Sequence, residues 1–321
     1  MKKNPVILVV GIALLALSIF LCIRTYSTSY AQAKEYGEQI NTLKTEIGDT
    51  EAAIVSLNEK DTTSDEDLNT KESLNNKLTV LSEKKSGLSN EKLYLEKPYS
   101  YSLTLLFLSI MISILGIVKL IRKQSESAKV DLTKLAQAGL LAALCYIGFA
   151  FFKIDIPVGT EKTAFHLGNV FCVLAALLLG GFWGGLSGAI GMTIADLTTA
   201  YVTSAPKTFL LKLCIGLIVG FVAHSIFKIE KSTDKKYITG ITILATTCGM
   251  AFNVVADPLV GYFYKTYLLG IPQDLSLALA KLSAVTSLVN AIVAVVAASI
   301  FYLALRPALK KAGLLTTAPK R

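Results

Sequence analysis

Apolar residues fall into blocks of about 20, the length an α-helix needs to cross the hydrocarbon of a bilayer. Two of these blocks, residues 5–23 and 101–121, enclose a polar, charged stretch. From residue 132 onward the blocks crowd together with short polar breaks. They predict six spans at about 133–153, 167–182, 184–203, 207–227, 237–257 and 280–305. The division expected is residues 1–125, two spans with an insert of about 30–97 between them, and residues 126–321, a six-span module with a basic tail. The fold class this implies is an all-α membrane protein.

Within the insert the period changes. Ala33, Tyr36, Ile40, Leu43, Ile47, Thr50, Ile54 and Leu57 recur at three- and four-residue intervals, with charges on the remaining faces. That is the a/d seam of a coiled coil. The acidic stretch 61–67 interrupts it, and Leu74, Leu78, Leu81, Leu88 and Leu95 carry a second arm that Pro98 is expected to end. Two arms and a short turn predict an antiparallel coiled-coil hairpin, each arm reaching roughly 40 Å. It reads equally as a spacer or as a partner-binding element, and nothing in it has catalytic chemistry.

The chain is 53% hydrophobic and only 17% charged, with a mean hydropathy of +0.55, which excludes a disordered protein. A formal charge of +9 would suit nucleic acid, but no nucleic-acid partner is expected, because the basic residues flank the spans. They sit at Lys2 and Lys3, in 119–129, in 228–236 and in 306–321. Retention of positive charge on the cytoplasmic side then places both termini inside and the coiled-coil hairpin outside. The first block could instead be a signal peptide cut after Ala31-Gln32-Ala33. Its apolar run of about 18 residues exceeds the usual 7–15, so an uncleaved anchor is the reading adopted.

Five cysteines, Cys22, Cys145, Cys172, Cys214 and Cys248, lie inside apolar blocks without metal-ligand spacing and read as small core residues. No phosphate loop, acid/base pair or nucleophile triad is present in the sequence. No catalytic residue, metal or cofactor is expected.

Glycines and alanines are dense in 180–191, and Gly184 and Gly188 suit close helix approach in lipid. Ala138, Gly139, Ala142 and Ala143 make a similar smooth face on the first span of the module. Polar residues inside spans are costly unless paired or facing a cavity. Here they are His166, Asn169, Asp196, Lys212, Asn253, Asp257 and Asn290, to which Tyr201, Tyr262 and Tyr264 add aromatic hydroxyls near outer ends. On the expected topology most fall in the outer half of the membrane, describing an outward-opening pocket closed at its base. Each has a structural alternative: Asp196 and Lys212 as a mutual ion pair, the asparagines as interhelical contacts, His166 as a cap, the tyrosines as interfacial anchors.

In order along the module stand Phe165-His-Leu-Gly-Asn169, the glycine-rich turn, Ile194-Ala-Asp-Leu197, Tyr201, Ser204-Ala-Pro-Lys-Thr-Phe209, Lys212 and Gly216. Over about residues 132–306 the chain thereby resembles the substrate-binding S components of energy-coupling factor (ECF) transporters, in particular the riboflavin-type group. The resemblance implies a subunit without ATPase activity that captures a B vitamin or precursor from outside. It would join a transmembrane T subunit and two ATPase subunits, and topple in the membrane to release its cargo. His166, Asn169, Asp196, Tyr201, Lys212, Asn253, Asp257, Tyr262 and Asn290 are the substrate-binding candidates. Ala138, Gly139, Ala142 and Ala143 are the T-subunit contact, and the 155–164 loop is a lid with Gly159 as a flexible point. The first 125 residues lie outside the resemblance. They leave open a second reading, a membrane sensor or interaction protein that recruits an extracytoplasmic partner through the hairpin. A linker at 124–129 is expected to uncouple the hairpin from the module.

Overall fold

The structure is a computed structural model that describes residues 6–58, 65–121, 131–158 and 161–315. Lys2 and Lys3, part of the acidic turn at 61–67, the 124–129 linker and Gly159 lie outside the described residues. The chain divides into two compact units, Met1–Ile121 and Arg122–Arg321. Five helical segments among the described residues are long and apolar enough to cross a membrane.

The first unit consists of two long helical rods. Helix α1 (Val6–Thr25) passes through one π-turn, Tyr26–Tyr30, directly into α2 (Ala31–Asn58), and α3 (Asp65–Ile121) returns alongside both. Partners run in opposite numerical order, which makes the pair antiparallel. Ser113 lies against Gly11, the Ser18 and Ser109 hydroxyls bond at 3.1 Å, and those of Thr25 and Ser102 at 2.9 Å. Further along, the Lys92 stem meets Gly37, and Leu81 packs with Leu43 and Ile47.

Where α1 is apolar its seam is small and hydroxylic, because lipid offers no hydrophobic drive for helices to associate and close packing with hydrogen bonds must supply it. Phe20 and Ile23 meanwhile face outward. In α2 the seam switches to Ala33, Gly37, Ile40, Leu43, Ile47 and Thr50. Tyr36 is only half-buried, and Gly37 takes the inner position. At the junction, Tyr26, Tyr30 and Tyr99 pack ring on ring.

Pro98 does not end the second arm as expected; α3 runs through it. Proline removes one backbone hydrogen bond and crowds the carbonyl four residues back. That residue, Tyr94, is among the most exposed in the unit. Solvent can take up the lost bond there, and the packed Tyr99 ring holds the following turn.

Among the described residues the second unit holds six α-helices in order: α4 (Leu132–Ala150), α5 (Gly168–Leu179), α6 (Gly181–Thr198), α7 (Ala205–Gly220), α8 (Lys235–Phe263) and α9 (Gln273–Lys311). Asp131 caps α4 by accepting from the backbone N–H of Thr133 and Lys134, and Asp234 caps α8 through Lys236 N–H. The last two helices extend beyond their predicted apolar windows, since hydropathy marks the lipid-compatible part of a helix and not its ends.

Helix α5 is the buried centre, with 11 of its 12 residues inaccessible. It turns into α6 at Gly180, whose φ of 83° is open to glycine and costly for other residues. From there α6 lies backbone to backbone against α5 at Gly184 and Ala176, and against α7 at Gly185 and Gly216.

The connection between α4 and α5, predicted as a plain loop, is a β-hairpin. Strands β1 (Lys153–Val158) and β2 (Glu161–His166) pair antiparallel with Lys153 opposite His166 and Val158 opposite Glu161. The alternation of Lys153, Asp155, Pro157 with Ile154, Ile156, Val158 has the strand period. Its brevity and the apolar blocks on either side hide it.

A Cβ at Gly216 would collide with the Gly185 backbone, whereas one at Gly139 meets nothing within 4 Å. Gly216→Ala is therefore expected to cost about 1–3 kcal/mol of stability and lower the melting temperature in detergent. Gly139→Ala should melt with the parent protein.

Candidate functional site

The six helices and the hairpin of the second unit bring their polar groups to one end. The first turn of α5, the last turns of α6, the start of α7, the second half of α8 and the first half of α9 meet beneath β2. They enclose a cavity with about 90 Å³ open to the centre of a water-sized sphere. Eight of the nine predicted substrate-binding residues line it: His166, Asn169, Asp196, Tyr201, Lys212, Asn253, Asp257 and Asn290.

Tyr262 does not line the cavity. The α8 residues that line it are Asn253, Asp257, Pro258 and Gly261, on one face of the helix. Tyr262, one position on, is turned by about 100° and packs edge-on against Phe263. Tyr264 also points elsewhere, donating to the Thr203 carbonyl at 2.8 Å.

The charges pair differently from the sequence expectation. Asp196 and Lys212 form no ion pair. Asp257 is instead held by Lys207 Nζ at 2.7 Å, and its other oxygen accepts from the Ser283 and Ser287 hydroxyls at 2.6 and 2.9 Å. One carboxylate thus ties α7, α8 and α9 together. Lys212, 6% exposed, donates to Asn253 Oδ1 at 3.1 Å, and among the described residues no carboxylate lies within ion-pair distance of it. Asp196, on α6, is buried and its Oδ2 has no partner among the described residues. The same holds for Asn169 Oδ1 and His166 Nδ1. Buried polar atoms without partners cost about 1–3 kcal/mol each, so this end of the bundle is built to meet something else.

The hairpin closes over the cavity on a set of bonds. Asn290 binds one edge of β2 at two points, accepting from the His166 N–H at 2.9 Å and donating to the Ala164 carbonyl at 3.1 Å. Thr163 and Thr286 share a hydroxyl bond at 3.1 Å, and Lys265 pairs with Glu161 at 3.0 Å. Tyr201 OH donates to Asp155 Oδ1 at 2.8 Å and lies 3.1 Å from the Thr163 carbonyl, with Lys153 Nζ 4.7 Å from its ring centre. The Phe149 ring stands edge-on to both His166 and Tyr201.

Lys207, Ser283, Thr286, Ser287 and Lys265 also line the cavity and are absent from the candidates read from the sequence. A signal exists for three of them: Ser283, Thr286 or Ser287, and Asn290 recur at helical spacing within an apolar helix. Hydroxyls are cheap enough in such a helix to pass unnoticed, whereas the asparagine stands out. His224 lies at the opposite end, bonded to Glu230 at 3.3 Å and to the Leu177 carbonyl at 3.1 Å, so the two histidines are far apart. No metal-ligand cluster occurs among the described residues.

On α4, Ala138 is buried in the core, and the backbone of Ala142 is in the path of any Cβ at Gly191. The exposed small residues are Gly139 and Ala143. The predicted smooth face is therefore split: two of its four residues pack inward and two outward.

A family model described as the ECF-type riboflavin transporter, S component, matches residues 129–307, more than half of the chain and all six of these helices apart from the end of α9. The chain belongs to this family. Comparison with curated proteins and with solved structures returns no match. The family is one of transporter components and not of enzymes, and with the apolar helices it makes the chain a multi-pass membrane protein. The cavity lies wholly within the S-component segment, and residues 1–121 are an extension before it.

Lys207→Met would leave the Asp257 carboxylate with two hydroxyls and no cation. Breaking one side of such a pair is expected to cost about 3 kcal/mol, read as a fall in melting temperature. Adding Asp257→Asn to that variant removes the stranded charge and should recover a large part of the loss.

Proposed function

We propose that this S component is the substrate-capture subunit of an ECF-type importer, taking a B vitamin or precursor from outside the cell. It passes the cargo on through a T subunit driven by two separate ATPase subunits. The observation that carries the reading is that three buried side-chain atoms without partners among the described residues, on His166, Asn169 and Asp196, line one cavity inside the family segment with Lys212 and Asn253. Polar groups this expensive in an apolar bundle are retained where they bind or conduct something.

In this reading the cavity end faces outward, which is supported by the lysines at the α7–α8 connection and after α9, since positive charge is retained on the cytoplasmic side. The β-hairpin is the lid, and its attachments to Tyr201, Lys265 and α9 hold it shut. The T subunit meets α4 through the exposed Gly139 and Ala143, with Ala138 and Ala142 keeping α4 close to α6 from behind. The antiparallel helices of the first unit form an extracytoplasmic coiled coil that does not take part in ligand binding.

Purified protein at a ligand concentration about 100 times Kd should gain about 2.7 kcal/mol of stability. Screening B vitamins and their precursors by thermal shift is expected to give one clear hit, lost in Lys212→Ala or Asn253→Ala. A chain lacking residues 1–125 should keep the hit. Absence of binding by a folded, full-length protein to every compound would favour a sensor or anchoring role instead, as would a hairpin partner that co-purifies without T and ATPase subunits.

A further inference from the structure

The end of the second unit opposite the cavity has polar chemistry of its own. A π-turn, Phe221–Ile226, carries α7 on through His224, and the connection to α8 follows. Within that connection Lys228 stands at φ 47°, a left-handed conformation uncommon for residues other than glycine. Backbone in such a conformation persists where surrounding bonds hold it, and here two sets do. Arg306 of α9, 8% exposed, donates through one nitrogen to the Ile229 and Ser232 carbonyls at 2.8 and 3.2 Å. A guanidinium does not lose its charge in proteins, so this hold is permanent.

The second hold is conditional. His224 Nε2 lies 3.1 Å from the Leu177 carbonyl, and Nδ1 lies 3.3 Å from Glu230 Oε2. Both partners are acceptors, since a carbonyl and an ionised carboxylate have no hydrogen to give. A neutral imidazole has one N–H and one lone pair and answers only one of them. The doubly protonated ring answers both.

The surroundings allow the second proton. The His224 side chain is 17% exposed, so protons can reach it. Glu230 favours the cation, and so do the last carbonyls of α5, the negative end of a helix dipole. Lys228 and Lys231 on the connection and Arg306 and Lys310 on α9 oppose it, but Arg306 is turned to carbonyls of its own and Lys310 is exposed. Tyr302 on α9 accepts from Arg306, and Tyr237 on α8 donates its hydroxyl to the Phe227 carbonyl.

We infer that His224 is a proton-sensitive clasp tying the α7–α8 connection to the end of α5, closed by a second proton and released by its loss. Arg306 keeps the connection in place when the clasp is open, so release loosens a loop without unfolding the bundle. The bond is present at low pH and is lost as pH rises.

The test is hydrogen exchange of the full chain in detergent at pH 6, 7 and 8, read as protection after correction for the intrinsic rate. Peptides covering 224–234 should lose about tenfold in protection from pH 6 to 8, the range in which histidines exchange that proton, as for loss of a charged hydrogen bond. Peptides of α2, which has no histidine, should keep theirs. In His224→Gln the 224–234 protection should not depend on pH, and in Glu230→Gln the dependence should be smaller than in the parent. Constant or rising protection in the parent protein would overturn the clasp, as would the parent's full loss persisting in His224→Gln. Should that variant fail to fold, an undiminished loss in Glu230→Gln would overturn it instead. Should neither fold, the parent's own profile decides.

Discussion

A carboxylate inside an apolar bundle has to be neutralised, and the manner of its neutralisation fixes which helices stay together. Asp257 takes a lysine from α7 and two serine hydroxyls from α9 while standing on α8 itself. Those three helices are thereby joined at one wall of the cavity by bonds that have no competitor in lipid. Because that carboxylate is fully engaged, Asp196 and Lys212 remain as groups the protein does not satisfy internally. The charges differ in their partners: Asp257 is paired with Lys207 and two hydroxyls, whereas Asp196 Oδ2 has no partner among the described residues and Lys212 has only an amide oxygen.

Away from the cavity the packing is organised by the absence of side chains. At Gly184, Gly185 and Gly216 the backbones of α5, α6 and α7 touch. Those contacts set the close spacing of α5, α6 and α7, the helices that carry Asn169, Asp196 and Lys212. The hairpin above them is held by side-chain bonds to residues on α9, at Lys265 and at Tyr201. A firm floor under a separately attached cover is an arrangement suited to admitting a small molecule.

Much of this is legible in the chain. Hydropathy locates the helices of the second unit because length and apolarity are set directly by the bilayer. Six polar positions within them share one cavity, with His166 on β2 and Tyr201 in the turn after α6, because polar groups in such helices have few other places to go. What escapes is phase and pairing. Depth along α8 groups Tyr262 with the site, yet rotation about the axis decides access, and Gly261 holds the inward position. Opposite sign suggests pairing Asp196 with Lys212, whereas Lys207, visible only as part of a motif, is the residue within reach of an acid. The strands of the hairpin are too short for a period of two to stand out against apolar neighbours. Pro98 reads as a stop from its usual cost alone, and that cost falls when the crowded turn is exposed.

The first unit carries a mechanical consequence. The segment Val9–Asn58 is helical for 50 residues, about 75 Å, with a π-turn in place of a joint. A helix that changes from an apolar to a polar surface without a break behaves as a stiff beam, bending over its length and not swivelling at the boundary. Anything that grips its far tip therefore sets the tilt of its apolar portion as well. Force applied tens of ångströms from the lipid would reach the bilayer as a change of angle.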